Sequence, residues 1–141
     1  MGGAMIAYDA RHNPPAPLAQ VTIANIMQRR RHRNAPALLD TGSDITAIPR
    51  SLASEIQVYP IGQIRLEDVR AQTQKVLTYA VQLTVVDLII PRLEVILTGL
   101  DYVILGRDVL NCLYMLLNGP EAAFDLLTTP FTSAPTSADP I

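Results

Sequence analysis

The segment ALLDTGSD, residues 37–44, is the part of the chain best suited to chemistry. Its apolar start reads as a strand, and the strand delivers an acid, Asp40, straight into a small, tight turn. Gly42 has no side chain, so the turn's backbone can approach a ligand or another chain closely. The plain alternative is an Asp-Thr-Gly β-turn, a common use of these residues. A second segment, VILGRD at residues 103–108, again runs an apolar strand into a glycine and then into a helix start. Other chemistries lack their residues. Neither G-x-S-x-G nor G-x-x-x-x-G-K-[ST] occurs. Cys112 is the single cysteine, which excludes an internal disulfide framework. With only His12 and His32 beside it, a Cys/His zinc site is disfavoured.

The elements that must position Asp40 are mostly strands. Residues 18–27 alternate Val21 and Ile23 with Gln20 and Thr22, the period of a strand. Residues 28–33, QRRRHR, fit a solvated hairpin tip leading into a second strand at 35–39. Residues 49–56 suit a short helix with Pro49 in its first turn. Leu77, Tyr79, Val81, Leu83 and Val85 alternate with more polar neighbours, which predicts a long, half-buried strand. Its expected partner is 61–69, with a polar tip at 70–75. Short strands are expected at 93–97 and 102–105. Apolar residues at 109, 110, 113, 116 and 117 predict an amphipathic helix over 107–117, ended by Gly119 and Pro120. A last strand is expected at 122–127.

Length and composition bound the rest. The 141 residues fit one domain, 49% are apolar and 17% charged, and the mean hydropathy is +0.23. Such a chain can bury a sizeable core and is too hydrophobic to be disordered. The net charge of −2 gives no bulk attraction to nucleic acid or an anionic membrane. The apolar stretch 76–105 is broken by Asp87, Arg92, Glu94 and Asp101, so no run of about 20 uncharged residues survives to span a membrane. No signal-peptide pattern opens the chain, and a reducing, cytoplasmic compartment is the expectation. Residues 1–17 read as an N-terminal arm, 18–127 as the domain body, and 128–141 as a Pro/Ser/Thr-rich flexible tail.

The order acid turn, long hairpin, apolar-apolar-glycine and short helix resembles the retroviral-type aspartic proteases, the retropepsins, and their stand-alone bacterial and cellular relatives. The resemblance covers about residues 18–127. It rests on Pro17-Leu18, on ALLDTGSD, and on ILGRD roughly 60 residues further on. It implies an all-β, closed acid-protease barrel with a flap hairpin and one short C-terminal helix. It also implies an aspartic endopeptidase that needs no metal or organic cofactor. Such chemistry uses two carboxylates about 3 Å apart that share one proton. With a single Asp-Thr-Gly in the chain, the second carboxylate must come from a second copy. A homodimer is therefore expected, with Asp40 meeting its mate across a twofold axis.

Site roles follow from the same resemblance. Asp40 is the catalytic acid. Thr41, Gly42 and Ser43 support its loop, Thr41 by bonding to the partner chain's loop and Ser43 by donating to the ionised carboxylate. The Ser43 bond would shift the activity optimum to lower pH than in Ser43→Ala. Gly42 and Asp44, with Ala71, Gln72 and Thr73 of the flap tip, contact an extended peptide substrate. Asp44 and Arg107 form an ion pair joining the acid loop to the C-terminal helix. The tip departs from the family pattern, since residues 69–74 contain none of the usual glycines. A fold of this kind that dimerises or binds peptides but scarcely cleaves is the alternative.

Other residues have plainer readings. Arg29, Arg30, Arg31, His32 and Arg33 read as a solvated tip more readily than as a phosphate patch, because no aromatics interleave them. Cys112 reads as a buried helical thiol. Tyr79 suits either the binding groove or flap packing. Phe124 and Leu126 can pack in a sheet shared between subunits.

Overall fold

The pattern of small and branched apolar residues builds a ring of strands. The computed structural model describes residues 5–132. In chain order the elements are β1 (Ile6–Ala7), β2 (Leu18–Ala24), β3 (His32–Leu39), β4 (Ala47–Pro49), α1 (Arg50–Ile56), β5 (Pro60–Glu67), β6 (Thr73–Val85), β7 (Leu88–Thr98), β8 (Val103–Leu105), α2 (Arg107–Leu110), β9 (Tyr114–Asn118) and β10 (Ala123–Leu127). The sheet runs β2-β3-β8-β4-β7-β6, and β6 pairs back onto β2, so six strands close a barrel. Two of these pairings, β3 with β8 and β4 with β7, are parallel. Closure removes free edges that would otherwise invite other chains.

Alternation decides which side chains enter the barrel. Ala35, Ala37 and Leu39 of β3 point inward and are buried, as are Val21 and Ile23 of β2 and Val81, Leu83 and Val85 of β6. Val95, Val103 and Leu105 complete the same cluster, and Leu52, Ala53 and Ile56 of α1 join it from one side. Each fully buried valine, leucine or isoleucine contributes about 1.5–3 kcal/mol of apolar burial. The alanines of β3 keep the strand close to its neighbours.

β6 has two halves. From Val81 inward its odd-numbered residues enter the core; Leu77, on the same face, is exposed because that half projects beyond the barrel. There it pairs only with β5, from Thr78 opposite Gly62 to Thr73 opposite Glu67. This is the expected flap hairpin, but its tip lies at residues 68–72 rather than 70–75. Asp68 is the cause. Its Oδ1 accepts the N–H groups of Arg70 at 2.8 Å and Gln72 at 3.0 Å, and its own N–H donates to the Gln72 carbonyl at 2.9 Å. The turn closes as soon as Asp68 is reached.

Further expectations need correction. Proline stands at the N-cap of α1, not inside its first turn. β3 begins at His32, three residues early, so the hairpin loop is residues 25–31. The predicted helix over 107–117 is one turn, α2, followed by strand β9. Val109 and Leu110 satisfy the helical period because both enter the core. Beyond Asn111 the chain turns, and β9 pairs antiparallel with all of β10. Gly119 and Pro120 thus lie in a hairpin connection, not at a helix end. Cys112 is exposed rather than buried, because it sits in the turn after α2.

The expected arm contributes structure of its own. β1 pairs with β10, Ile6 opposite Phe124, giving a three-stranded sheet β1-β10-β9. Phe124 and Leu126 are buried inside their own chain, with Tyr8 against the Phe124 ring. Of the expected tail, residues 133–141 lie outside the described residues. Among the described residues no helix is long and apolar enough to cross a membrane.

Candidate active site

Alternation also sets where Asp40 points. Ala35, Ala37 and Leu39 face inward, so Pro36, Leu38 and Asp40 share the outer face of β3. Leu38 stands in register with Ile104 of β8, and both are half-buried on that face. They form an apolar wall beside the acid. Neither was singled out from sequence, although their parity relative to Asp40 was readable there.

The acid loop is tied down at every step. The Asp40 N–H donates to the Leu105 carbonyl at 3.0 Å, extending the β3–β8 pairing by one bond. The Gly42 N–H donates to Asp40 Oδ1 at 2.9 Å, and the Ser43 N–H to the Asp40 carbonyl at 3.2 Å. A Cβ on Gly42 would lie 3.2 Å from Asp40 Oδ1, so the missing side chain lets the loop fold against the carboxylate. Asp40 as a residue is half-buried at the mouth of this turn.

The segment Gly106-Arg107-Asp108 clasps the stretch from Thr41 to Thr46. A Cβ on Gly106 would lie 2.9 Å from the Ile45 carbonyl carbon, closer than real contacts allow. Arg107 donates three times: its N–H to the Ser43 carbonyl at 2.8 Å, its Nη1 to the Thr41 carbonyl at 2.6 Å, and its Nη2 to Asp44 in an ion pair. Asp108 accepts from Thr46 twice, at Oδ2 from the N–H (2.9 Å) and at Oδ1 from the hydroxyl (2.7 Å). The Thr46 Oγ1 in turn accepts the Gly106 N–H at 3.1 Å, and Thr46 is fully buried. Thr46 and Asp108 are a bracing pair missed from sequence. Their only signal there was an acid in the first turn of a helix, beside the arginine already noted.

The remaining expected residues fall differently. The Ser43 hydroxyl donates to the Ile45 carbonyl at 2.8 Å, not to the Asp40 carboxylate, because the tight turn points it back along the loop. Ser43 braces the loop, and the pH shift expected from a hydroxyl–carboxylate bond has no geometric basis. Thr41 is exposed, and among the described residues its hydroxyl makes no hydrogen bond within the chain. Ala71, Gln72 and Thr73 sit at the flap tip, where hydrogen bonds run to Asp68 and none reaches the acid loop among the described residues. Ala71 holds the turn's left-handed position with φ of 61°, where a glycine would ordinarily stand. Tyr79 is half-buried where the flap leaves the barrel. Among the described residues no group of three or more His, Cys, Asp or Glu side chains is arranged to hold a metal.

No protein-family model and no curated protein matches this sequence. Solved structures do. The simian foamy virus (mac) protease superposes with a TM-score of 0.50 at 17% identity, over 67% of this chain and 92% of that one. The EIAV protease, solved with an inhibitor, superposes with a TM-score of 0.50 at 19% identity, over 68% of this chain and 86% of that one. At these identities the likeness is one of architecture. The six-stranded barrel, its projecting hairpin and the two junctions at Asp40 and Gly106 define a retropepsin-like fold.

Proposed function

We propose that the protein is an aspartic endopeptidase that works as a homodimer. The observation carrying this reading is the placement of Asp40: an outward-facing carboxylate at a strand end, in a loop fixed from behind by Gly106, Arg107 and Asp108. One chain supplies one carboxylate, so a second copy supplies the other. The exposed Thr41 stands free to bond its counterpart across the axis. The edge of β9, unpaired among the described residues, with Tyr114, Leu116 and Leu117 exposed, supports a contact between copies near the C-terminal hairpin. Phe124 and Leu126, turned into their own core, take no part in it.

In that dimer the two Asp40 carboxylates share a single proton, since like charges so close cannot both ionise. The unprotonated oxygen takes a proton from a water, whose oxygen attacks the scissile carbonyl carbon. The other carboxylate gives its proton to the carbonyl oxygen. Collapse of the tetrahedral species, with proton transfer to the amide nitrogen, breaks the C–N bond and restores the shared proton. The substrate lies extended between flap and floor, its backbone bonding in the manner of an added strand. Leu38 and Ile104 favour apolar residues near the cut.

The test compares digestion of a peptide library by wild type and Asp40→Asn across acid to neutral pH, with solution mass measured in parallel. Cleavage by a dimer, lost in Asp40→Asn and blocked by a transition-state-mimicking inhibitor, is the expected result. Equal digestion by the two proteins overturns the reading.

A further inference from the structure

A second recognition surface lies outside the acid loop, between the 25–31 loop and the base of the flap. A cleft of about 310 Å³ opens there, lined by Met27, Gln57, Tyr59, Ile61, Ala80 and Arg92 among others. Its apolar side chains are unusually bare: Met27 is 89% exposed, Tyr59 74% and Ile61 49%. A contiguous apolar patch on a folded surface marks a place where something docks.

The surrounding charge says what kind of partner. Arg92 lines the cleft, and Arg31 flanks it through a hydrogen bond to Gln57. Arg29 and Arg30 belong to the same short loop as Met27, closed by the Asn25 N–H donating to the Arg31 carbonyl at 2.9 Å. Asn25 also fixes the loop by accepting from Met27 and Gln28 and donating to the Ile56 and Gln57 carbonyls. Among the described residues Arg29, Arg30 and Arg92 have no carboxylate within 4.0 Å, whereas Arg33 pairs with Glu55. Glu94, opposite Ala80 on β7, is the nearest acid to the cleft along that strand. Arg92 thus stands at an apolar floor whose bordering loop carries two further arginines, Arg29 and Arg30, on a protein whose overall charge is −2.

We infer that this cleft binds an acidic peptide segment whose apolar side chains seat on Met27, Tyr59 and Ile61 while its carboxylates meet Arg29, Arg30 and Arg92. A polynucleotide fits less well: base stacking wants several aromatic faces, and Tyr59 is the one aromatic at the cleft. Guanidiniums suit carboxylates, which they can grip in pairs. The inference does not depend on catalysis. It does place the occupant against Ile61 and Ala80, where both flap strands leave the barrel.

The test uses the full chain carrying Asp40→Asn, so that no probe is cut. A fluorescent 14-residue peptide alternating glutamate with leucine and phenylalanine is titrated against it. Controls are the same peptide with lysine for glutamate and with serine for the apolar residues. Binding at least tenfold tighter than to either control is expected. Tyr59→Ser and Arg92→Glu should each weaken it about tenfold, with unfolding midpoints unchanged because both side chains are largely solvent-facing. Arg29→Glu with Arg30→Glu serves as the second variant and should act alike. Equal binding of the acidic and lysine peptides, or binding indifferent to all these substitutions, overturns the inference. So does preference for single-stranded RNA or phosphatidylserine vesicles over the acidic peptide, lost in Arg92→Glu.

Discussion

Gly106 lies so close beneath Ile45 that a Cβ at position 106 would stand 2.9 Å from the Ile45 carbonyl carbon and 3.0 Å from its nitrogen and oxygen. The atoms met are backbone, which cannot swing aside as a side-chain end can. The acid loop and the start of α2 are therefore in contact through main chain.

Gly106→Ala should force the two segments apart. Overpacking of this kind costs about 1–3 kcal/mol. Urea unfolding should register that loss. Because the shift is delivered to Ile45, within the loop that carries Asp40, peptide cleavage should fall further than stability does. Unchanged midpoints and rates would mean that the contact relaxes freely.

Thr46→Val removes the hydroxyl that Asp108 Oδ1 and the Gly106 N–H both use, and it does so at a fully buried position. Leaving buried polar groups unpaired costs about 1–3 kcal/mol. Thr46→Ser retains the oxygen and should recover most of that loss, apart from a methyl group. Comparing the two by thermal unfolding separates the hydrogen bonds from simple packing.

Ala71→Gly should stabilise the flap tip. A non-glycine residue in the left-handed region costs about 1–2 kcal/mol, and glycine returns part of the gain through its looser unfolded chain. The expected net effect is a few tenths to about 1 kcal/mol. Amide exchange at Arg70 and Gln72 should slow correspondingly, and faster exchange there would contradict the strain.

Asp9 supplies a pH marker. The Arg11 guanidinium, bonded to both its carboxylate oxygens, holds its pKa down at about 2, and the Arg11 N–H adds to this. A lowered carboxylate pKa stabilises the folded state above the ordinary value of about 3.9, and that contribution disappears as pH falls through about 2. Carboxyl NMR titration should place Asp9 near 2 in the wild type and higher in Arg11→Ala, still short of the ordinary value because the backbone N–H of residue 11 remains. The contact is solvent-exposed, so the change should remain local.

Much of this was written plainly in the residues. Strict alternation along β6 announced a strand, and the pairing of ALLDTGSD with ILGRD announced the two junctions that meet around the acid. The helix over 107–117 failed for an instructive reason. Val109 and Leu110 face the core from a single turn, while Leu113, Leu116 and Leu117 keep the helical spacing by coincidence in a turn and a strand. Short apolar runs satisfy either period, and only the partner strand β10 decides. The Ser43 hydroxyl could not be aimed from sequence, because two acceptors, the Asp40 carboxylate and the Ile45 carbonyl, lie within two or three residues. Thr46 and Asp108 are 62 residues apart, and such a bond is visible only once the barrel closes.

β6 is one unbroken strand of 13 residues, half staves of the barrel and half stalk of the flap. No hinge loop divides the two uses. Any bending of the projecting hairpin along β6 then travels as flexure through a continuous beam anchored in the hydrophobic interior, so on this strand the suppleness of the projection is tied to the firmness of the interior.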